Sequence, residues 1–212
     1  MKTDAVLRKL RRDNKEFTTS EELRELCSSL GIEYDSAIRH LIPRGHLVKV
    51  FRGLFYVKSL EEMHLGRSKY NHLELVAQGF EFRGVENWYY GLSTALVLNN
   101  MTHERFNVEY VVNDSIQRNS AMNIAGHMFI FKKLKSELFS FGVIKDKVNY
   151  SGPEKTILDM VYLDRYGGVP PEKTALNVSE YLDSVDFEKL TMYAAYYPIT
   201  VARFMEEMLS ER

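Results

Sequence analysis

The stretch GHLVKVFRGLFYV, residues 45–57, sets two short runs of apolar residues around Arg52-Gly53. This pattern reads as a hairpin with strands from Leu47 to Val50 and from Leu54 to Val57, because glycine takes the positive φ that a tight turn between antiparallel strands demands. Just upstream, Tyr34, Ala37, Ile38 and Leu41 recur at helical spacing before Pro43 and Gly45. A helix therefore precedes the hairpin and turns Asp35, Ser36, Arg39 and His40 away from its apolar side. Before it, Thr19 and Glu22 form a capping box, Leu23, Leu26, Cys27 and Leu30 fall at i, i+3, i+4 and i+7, and Gly31 stops the helix. Asp4 to Arg12, with Val6, Leu7 and Leu10, supplies a first helix. Three helices followed by a hairpin is the order of a winged helix-turn-helix, in which the third helix enters the DNA major groove and the hairpin lies along the backbone or minor groove.

The charge pattern agrees with that order. No Asp or Glu occurs from Ser36 to Leu60, while Arg39, Arg44, Lys49, Arg52 and Lys58, with His40 and His46, fall inside the window. A formal net charge of -1 conceals a division: residues 1–57 hold 11 Lys+Arg against 8 Asp+Glu, which leaves 17 against 21 for the rest. Cations without intervening carboxylates suit a polyanionic partner. On this reading Arg39 and His40 face base edges, Ser36 reaches a base or a phosphate, and Arg44, Lys49 and Arg52 neutralise phosphates. The competing reading is a solvated basic surface used for protein contact. Duplex DNA is favoured because topology and charge window coincide.

The segment KSLEEMHLGRSKY, residues 58–70, loses periodicity and gathers charge, the pattern of a connector with room for a helical turn. The expected organisation is a winged-helix domain over 1–58, a connector over 59–70 and a second domain over 71–212. In the second domain the spacing predicts a helix from His72 to Gln78 and another from Leu92 to about Asn100, the latter apolar enough to be buried on most sides. FNVEYVVND, MNIAGHMFIFKK and FGVIKDKVNYS read as three strands. Pro153 opens a helix closed by Gly167-Gly168, and further helices follow near 178–182, 186–196 and 199–211. The fold class is thus α+β, an N-terminal winged helix-turn-helix followed by a mixed α/β domain with a small sheet and C-terminal helices.

Several function classes are disfavoured. The single cysteine, Cys27, leaves no internal disulfide and no zinc-ligand spacing, so no metal or cofactor is expected. No apolar run reaches the ~18 residues of a membrane helix, and the first residues lack a signal peptide's apolar stretch, so the expected location is cytoplasmic, without a membrane. Gly91-Leu92-Ser93 faintly echoes a nucleotidyltransferase, yet EYVVNDS offers only Asp114 where paired carboxylates are needed. His64, His72, His103 and His127 are scattered, with no metalloprotease, nucleophile-elbow or phosphate-loop motif beside them. No catalytic residue is assigned and no enzyme is expected. Trp88, Tyr89 and Tyr90 are read as core, with a partner anchor as the alternative.

Taken together, GHLVKVFRGLFYV, YYGLSTALVLNNMTH and SGPEKTILDMVYL make the chain resemble the AbiEi-type antitoxins, regulators of type IV toxin-antitoxin systems. The resemblance covers most of the chain, and its last motif, a Pro-Glu-Lys-Thr helix start, is the specific one. It implies an N-terminal domain that represses its own operon, and a C-terminal domain that shares in repression and counters a nucleotidyltransferase-like toxin. The operator duplex and such a toxin are the partners implied. Residue by residue only the third helix and the hairpin carry over, and a stand-alone regulator of the same architecture stays open. Glu154 and Lys155 are expected to act structurally, through helix-start capping and a salt bridge.

Overall fold

The computed structural model describes residues 3–118 and 120–210. They form an α+β chain of two compact units, one of residues 3–86 with 123–127 and the other of the remaining described residues.

In the first unit the order is α1 (Thr3–Arg12), β1 (Phe17–Thr19), α2 (Ser20–Ser29), α3 (Tyr34–Leu41), β2 (Leu47–Phe51), β3 (Leu54–Val57), α4 (Leu60–Leu65) and α5 (His72–Phe82). The capping box forms as expected: Thr19 Oγ1 accepts from the Glu22 amide at 3.1 Å, and Glu22 Oε2 accepts from the Thr19 amide at 2.9 Å. Gly53 takes φ +75° between Phe51 and Leu54, closing a tight turn. An unanticipated strand, β1, pairs antiparallel with β3, and the sheet order is β1-β3-β2. On one side of this sheet Leu47, Phe55 and Val57 join Val6, Leu7, Leu10, Leu23, Cys27, Ala37 and Leu41 in a single core, with Cys27 free and buried.

The division of the chain differs from the expected boundary, because residues 59–70 are built into the first unit. Ser59 and Glu62 cap α4 reciprocally, and Asn71 and Glu74 do the same for α5. Helix α5 packs on β2 so closely that a Cβ on Gly79 would lie 2.8 Å from Phe51 and Val50 side-chain atoms. Burial of Leu75, Val76 and Phe80 stabilises this arrangement by roughly 1.5–3 kcal/mol per side chain.

The later elements are β4 (Trp88–Tyr90), α6 (Leu92–Leu98), β5 (Val108–Asn113), β6 (Met122–Ile124), β7 (His127–Lys133), β8 (Val143–Lys145), β9 (Asn149–Ser151), α7 (Pro153–Tyr166), α8 (Pro171–Ser179), α9 (Phe187–Ala194) and α10 (Ile199–Ser210). Their sheet has six strands in the order β6-β7-β5-β4-β9-β8, against the three strand segments that the sequence pattern predicts. Two of those segments are hairpins, and β4 was not foreseen: Trp88, Tyr89 and Tyr90 form a strand between β5 and β9, which settles them in the core. Helix α6 is less enclosed than expected, with Thr94, Ala95 and Leu96 buried and Val97 43 % exposed. Helix α8 begins at Pro171, well before residue 178, because proline is tolerated in a helix's first turn.

Helix α7 organises the second unit, packing against α6, α8, α9, α10 and β9. Glu154 does not cap its own helix as expected. It is buried and reaches α9, where Oε1 accepts from the Asp186 amide at 3.2 Å and Oε2 pairs with Lys189 at 3.0 Å. Lys155 does form the expected salt bridge, 3.4 Å from Asp159, with both side chains wholly buried. Asp159 also accepts from the Tyr197 hydroxyl at 2.6 Å and the Tyr89 hydroxyl at 2.7 Å. The Lys155 ammonium lies 4.6 Å from the Phe141 ring centroid and 4.9 Å from that of Tyr89. Burial lowers the Lys155 pKa, against the pull of Asp159.

Removing one partner of a buried, hydrogen-bonded pair strands the other. Lys155→Ala is therefore expected to lower the unfolding free energy by about 3–5 kcal/mol in urea titrations. Lys155→Met with Asp159→Asn should recover part of that loss.

Candidate nucleic-acid interface

Helix α3 owes its start to Glu33, whose carboxylate accepts from the Asp35 amide at 2.9 Å and the Ser36 amide at 2.6 Å. Its inner side holds Ala37 and Leu41 in the core. Ser36 and Arg39 are exposed and His40 half-buried, on the side that the apolar spacing leaves outward. Arg39 is drawn toward the helix start: its Nε donates to the Asp35 carbonyl at 3.3 Å, and Nη2 lies 4.0 Å from Glu33 in an exposed pair that contributes little. The acid-free stretch thus begins directly after two carboxylates at the start of the same helix, Glu33 at its N-cap and Asp35 in its first turn.

One helical turn further on, the structure brings two of the expected residues together. Arg44 Nη1 donates to His40 Nδ1 at 2.7 Å and to the His40 carbonyl at 3.3 Å. In that arrangement the His40 proton sits on Nε2, so the pair offers an imidazole N–H beside a guanidinium. His46 is withdrawn from the surface group, because Arg11 Nη2 lies 3.5 Å from its Nδ1, and burial followed by the nearby Arg11 charge lowers its pKa.

Lys49 and Arg52 sit on the hairpin. Lys49 is opposite Phe55, so it leaves the sheet on the side that carries α1, α2 and α3, and it is exposed. Arg52 is exposed at the turn. Neither side chain has a hydrogen-bond or ion-pair partner among the described residues. Ser36, Arg39, His40 and Arg44 thus lie on α3 and just past its end, Lys49 and Arg52 on the hairpin, and among the described residues no hydrogen bond or ion pair joins the two sets.

The hairpin is held more firmly than its sequence suggested. All four β3 residues are buried. The Ser20 amide donates to the Gly53 carbonyl at 2.9 Å, and Arg83 Nη2 donates to the Arg52 carbonyl at 2.5 Å while its guanidinium lies over the Phe51 ring at 5.2 Å. Beneath β3, the Tyr56 hydroxyl donates to Glu62 at 2.7 Å, and Glu62 also accepts from the Ser59 and Lys69 amides at 2.8 and 2.7 Å. Burial pushes the Glu62 pKa up, but these donors together hold it below its ordinary value. Arg83 lies 31 residues from its contact, beyond the reach of local patterns, whereas the pattern Ser59-x-x-Glu62 marks Glu62 as a cap.

Of the residues weighed for catalysis, Asp114, His72 and His127 have partners, while the Ser93 hydroxyl is buried without a hydrogen bond among the described residues. Asp114 accepts from Asn87 Nδ2 at 2.7 Å and from Ser136 Oγ at 3.3 Å. His72 and His127, both in the first unit, are not scattered: their rings stack 3.7 Å apart with planes 6° from parallel. No helix among the described residues is long and apolar enough to cross a membrane.

No family model matches the chain, and no curated protein does. Among solved structures it is similar to the crystal structure of the RV2827C protein from Mycobacterium tuberculosis, at a TM-score of 0.58 over 99 % of this chain and 76 % of that one. The two are 14 % identical, so the likeness is one of fold.

Glu62 gives this unit an acid-sensitive support. A carboxylate with a depressed folded pKa adds stability above its unfolded value, near 4.5, and that stability is lost as pH falls through the folded value. Thermal unfolding followed between about pH 6 and pH 3 should show Glu62→Gln with a shallower loss of stability on acidification than the wild type.

Proposed function

We propose that the protein is a DNA-binding transcriptional regulator whose first unit is a winged helix-turn-helix. The observation that carries this reading is the order α1-β1-α2-α3-β2-β3, with α3 packed on α2, its outer side chains in water, and on the β2–β3 hairpin two cations, Lys49 and Arg52, without partners among the described residues. In this reading α3 lies in the major groove, where Arg39 donates to guanine O6 and N7 and the His40–Arg44 pair offers further donors. Ser36 bonds a base or phosphate, and Lys49 and Arg52 neutralise phosphates as the wing follows the backbone. Asp35, in the first turn, adds an acceptor that a cytosine amino group satisfies and that phosphate repels.

The reading assigns no catalytic step, metal or cofactor, and it places the protein in the cytoplasm, where a repressor of its own promoter acts. The resemblance to AbiEi-type antitoxins extends it to an autorepressing member of a type IV toxin-antitoxin pair. A specific feature favours a protein partner for the second unit: a groove of about 510 Å³ between α9 and α10, lined by Leu190, Ala194, Ile199, Met205 and Leu209, with Ile199 71 % exposed. A nucleotidyltransferase-like toxin is the partner that the resemblance supplies.

A gel-shift titration with duplex DNA from upstream of the protein's own coding sequence tests the reading. The wild type should bind it more tightly than a scrambled duplex of equal composition, and Arg39→Ala should cost about 1–3 kcal/mol at one base pair. Unchanged affinity in an Arg39→Ala, Arg52→Ala double variant would refute it.

A further inference from the structure

Outside the acid-free window, one more cation stands at the hairpin turn. Arg83, the residue that ends α5, is exposed and sends one guanidinium N–H to the Arg52 carbonyl at 2.5 Å. Its plane rests over Phe51, and Phe51 is fixed in turn against Phe80, with ring centroids 5.0 Å apart, and against Gly79, where no Cβ would fit. The turn is pinned from its other side by the Ser20 amide on Gly53. A long, flexible side chain is thus held in one orientation at the point where Arg52 also projects.

Arginines held this way commonly answer a carboxylate. Here neither Arg83 nor Arg52 has an ion-pair partner among the described residues. One guanidinium anchored on the turn and a second carried by the turn residue Arg52, neither with a counter-charge among the described residues, leave a local positive potential that a phosphate oxygen relieves. Arg83 spends one of its five N–H donors on the Arg52 carbonyl, and its remaining donors are already ordered, so little side-chain entropy is lost when they meet a second acceptor.

We infer that Arg83 is itself a DNA-contact residue, forming with Arg52 a two-guanidinium clamp on the phosphate backbone at the wing tip. This rests on the DNA-binding reading above and adds to it a contact supplied by α5. The DNA-binding surface then belongs to the whole of residues 3–86, since the helix that follows the hairpin contributes both the wing's support and one of its charges.

Salt dependence separates direct contact from support. Each phosphate neutralised contributes about 0.9 to the slope of log affinity against log salt. The full chain is titrated with its own upstream duplex at several salt concentrations, as wild type, Arg83→Gln and Arg83→Lys, after circular dichroism and thermal unfolding show each variant folded. The inference expects Arg83→Gln to bind more weakly with a slope smaller by about 0.9, and Arg83→Lys to keep the wild-type slope. Weaker binding by Arg83→Gln with an unchanged slope would make Arg83 a support for Arg52 alone and overturn the inference, as would unchanged binding or a lowered slope in Arg83→Lys. Failure of the wild type to bind the duplex is read before any variant and refutes the underlying function, taking this contact with it.

Discussion

The first unit depends on the burial of β3 from both sides. Phe55 and Val57 enter the core made by α1, α2 and α3, while Tyr56, on the opposite side, sits over Glu62 and beside Phe17 and Tyr70. A strand buried this way cannot shift its register by one residue without exchanging its two sets of side chains, so its pairing with β1 and β2 is fixed. The Arg52-Gly53 turn is fixed with it. The proposed division of labour between a reading helix and a phosphate-holding wing requires this rigidity, because a charge on a loose loop would lose its advantage to ordering entropy.

The second unit is organised around Asp159. A carboxylate with no exposure is tolerable only when its lone pairs are used, and Lys155, Tyr197 and Tyr89 use them. Tyr89 belongs to β4, Tyr197 follows α9, and Lys155 shares α7 with Asp159, so one polar cluster joins the sheet to two helical segments. Gly142 completes the fit, since a Cβ there would come within 2.8 Å of the Lys155 side chain. Such a cluster specifies how α7 sits on the sheet, which apolar contacts alone leave looser.

Local rules made much of this legible. The Thr19–Glu22 box, the i, i+3, i+4 stripes of the first three helices and the glycine turn at Arg52-Gly53 are signals within a few residues of one another, and the structure contains each of those elements. The same Ser-x-x-Glu logic at Ser59 and Glu62 is masked by surrounding charge, so the sequence reads as a connector with room for a helical turn where the structure has a capped helix. β4 escaped because three consecutive aromatic residues show no alternation, the mark of a strand buried on both sides. Lys155 sits in a Pro-Glu-Lys-Thr run whose pattern marks a helix start and a salt bridge, and its burial comes from aromatic residues that converge on it from distant positions. Of the candidate interface, the charge pattern marks Arg39, His40, Arg44, Lys49 and Arg52, and helix spacing marks Ser36. The influence of Glu33 on Arg39, and the place of Arg83, depend on capping and on a contact distant in sequence.

The central claim is that DNA is held by α3 and the hairpin of the first unit. Hydrogen–deuterium exchange of the full chain, measured with and without duplex DNA from upstream of its coding sequence, tests it most directly. The account expects slowed exchange in peptides covering residues 34–44 and 47–54, with residues 87–210 little changed. Slowing confined to residues 87–210, or bound DNA with no protection in the first unit, would contradict it.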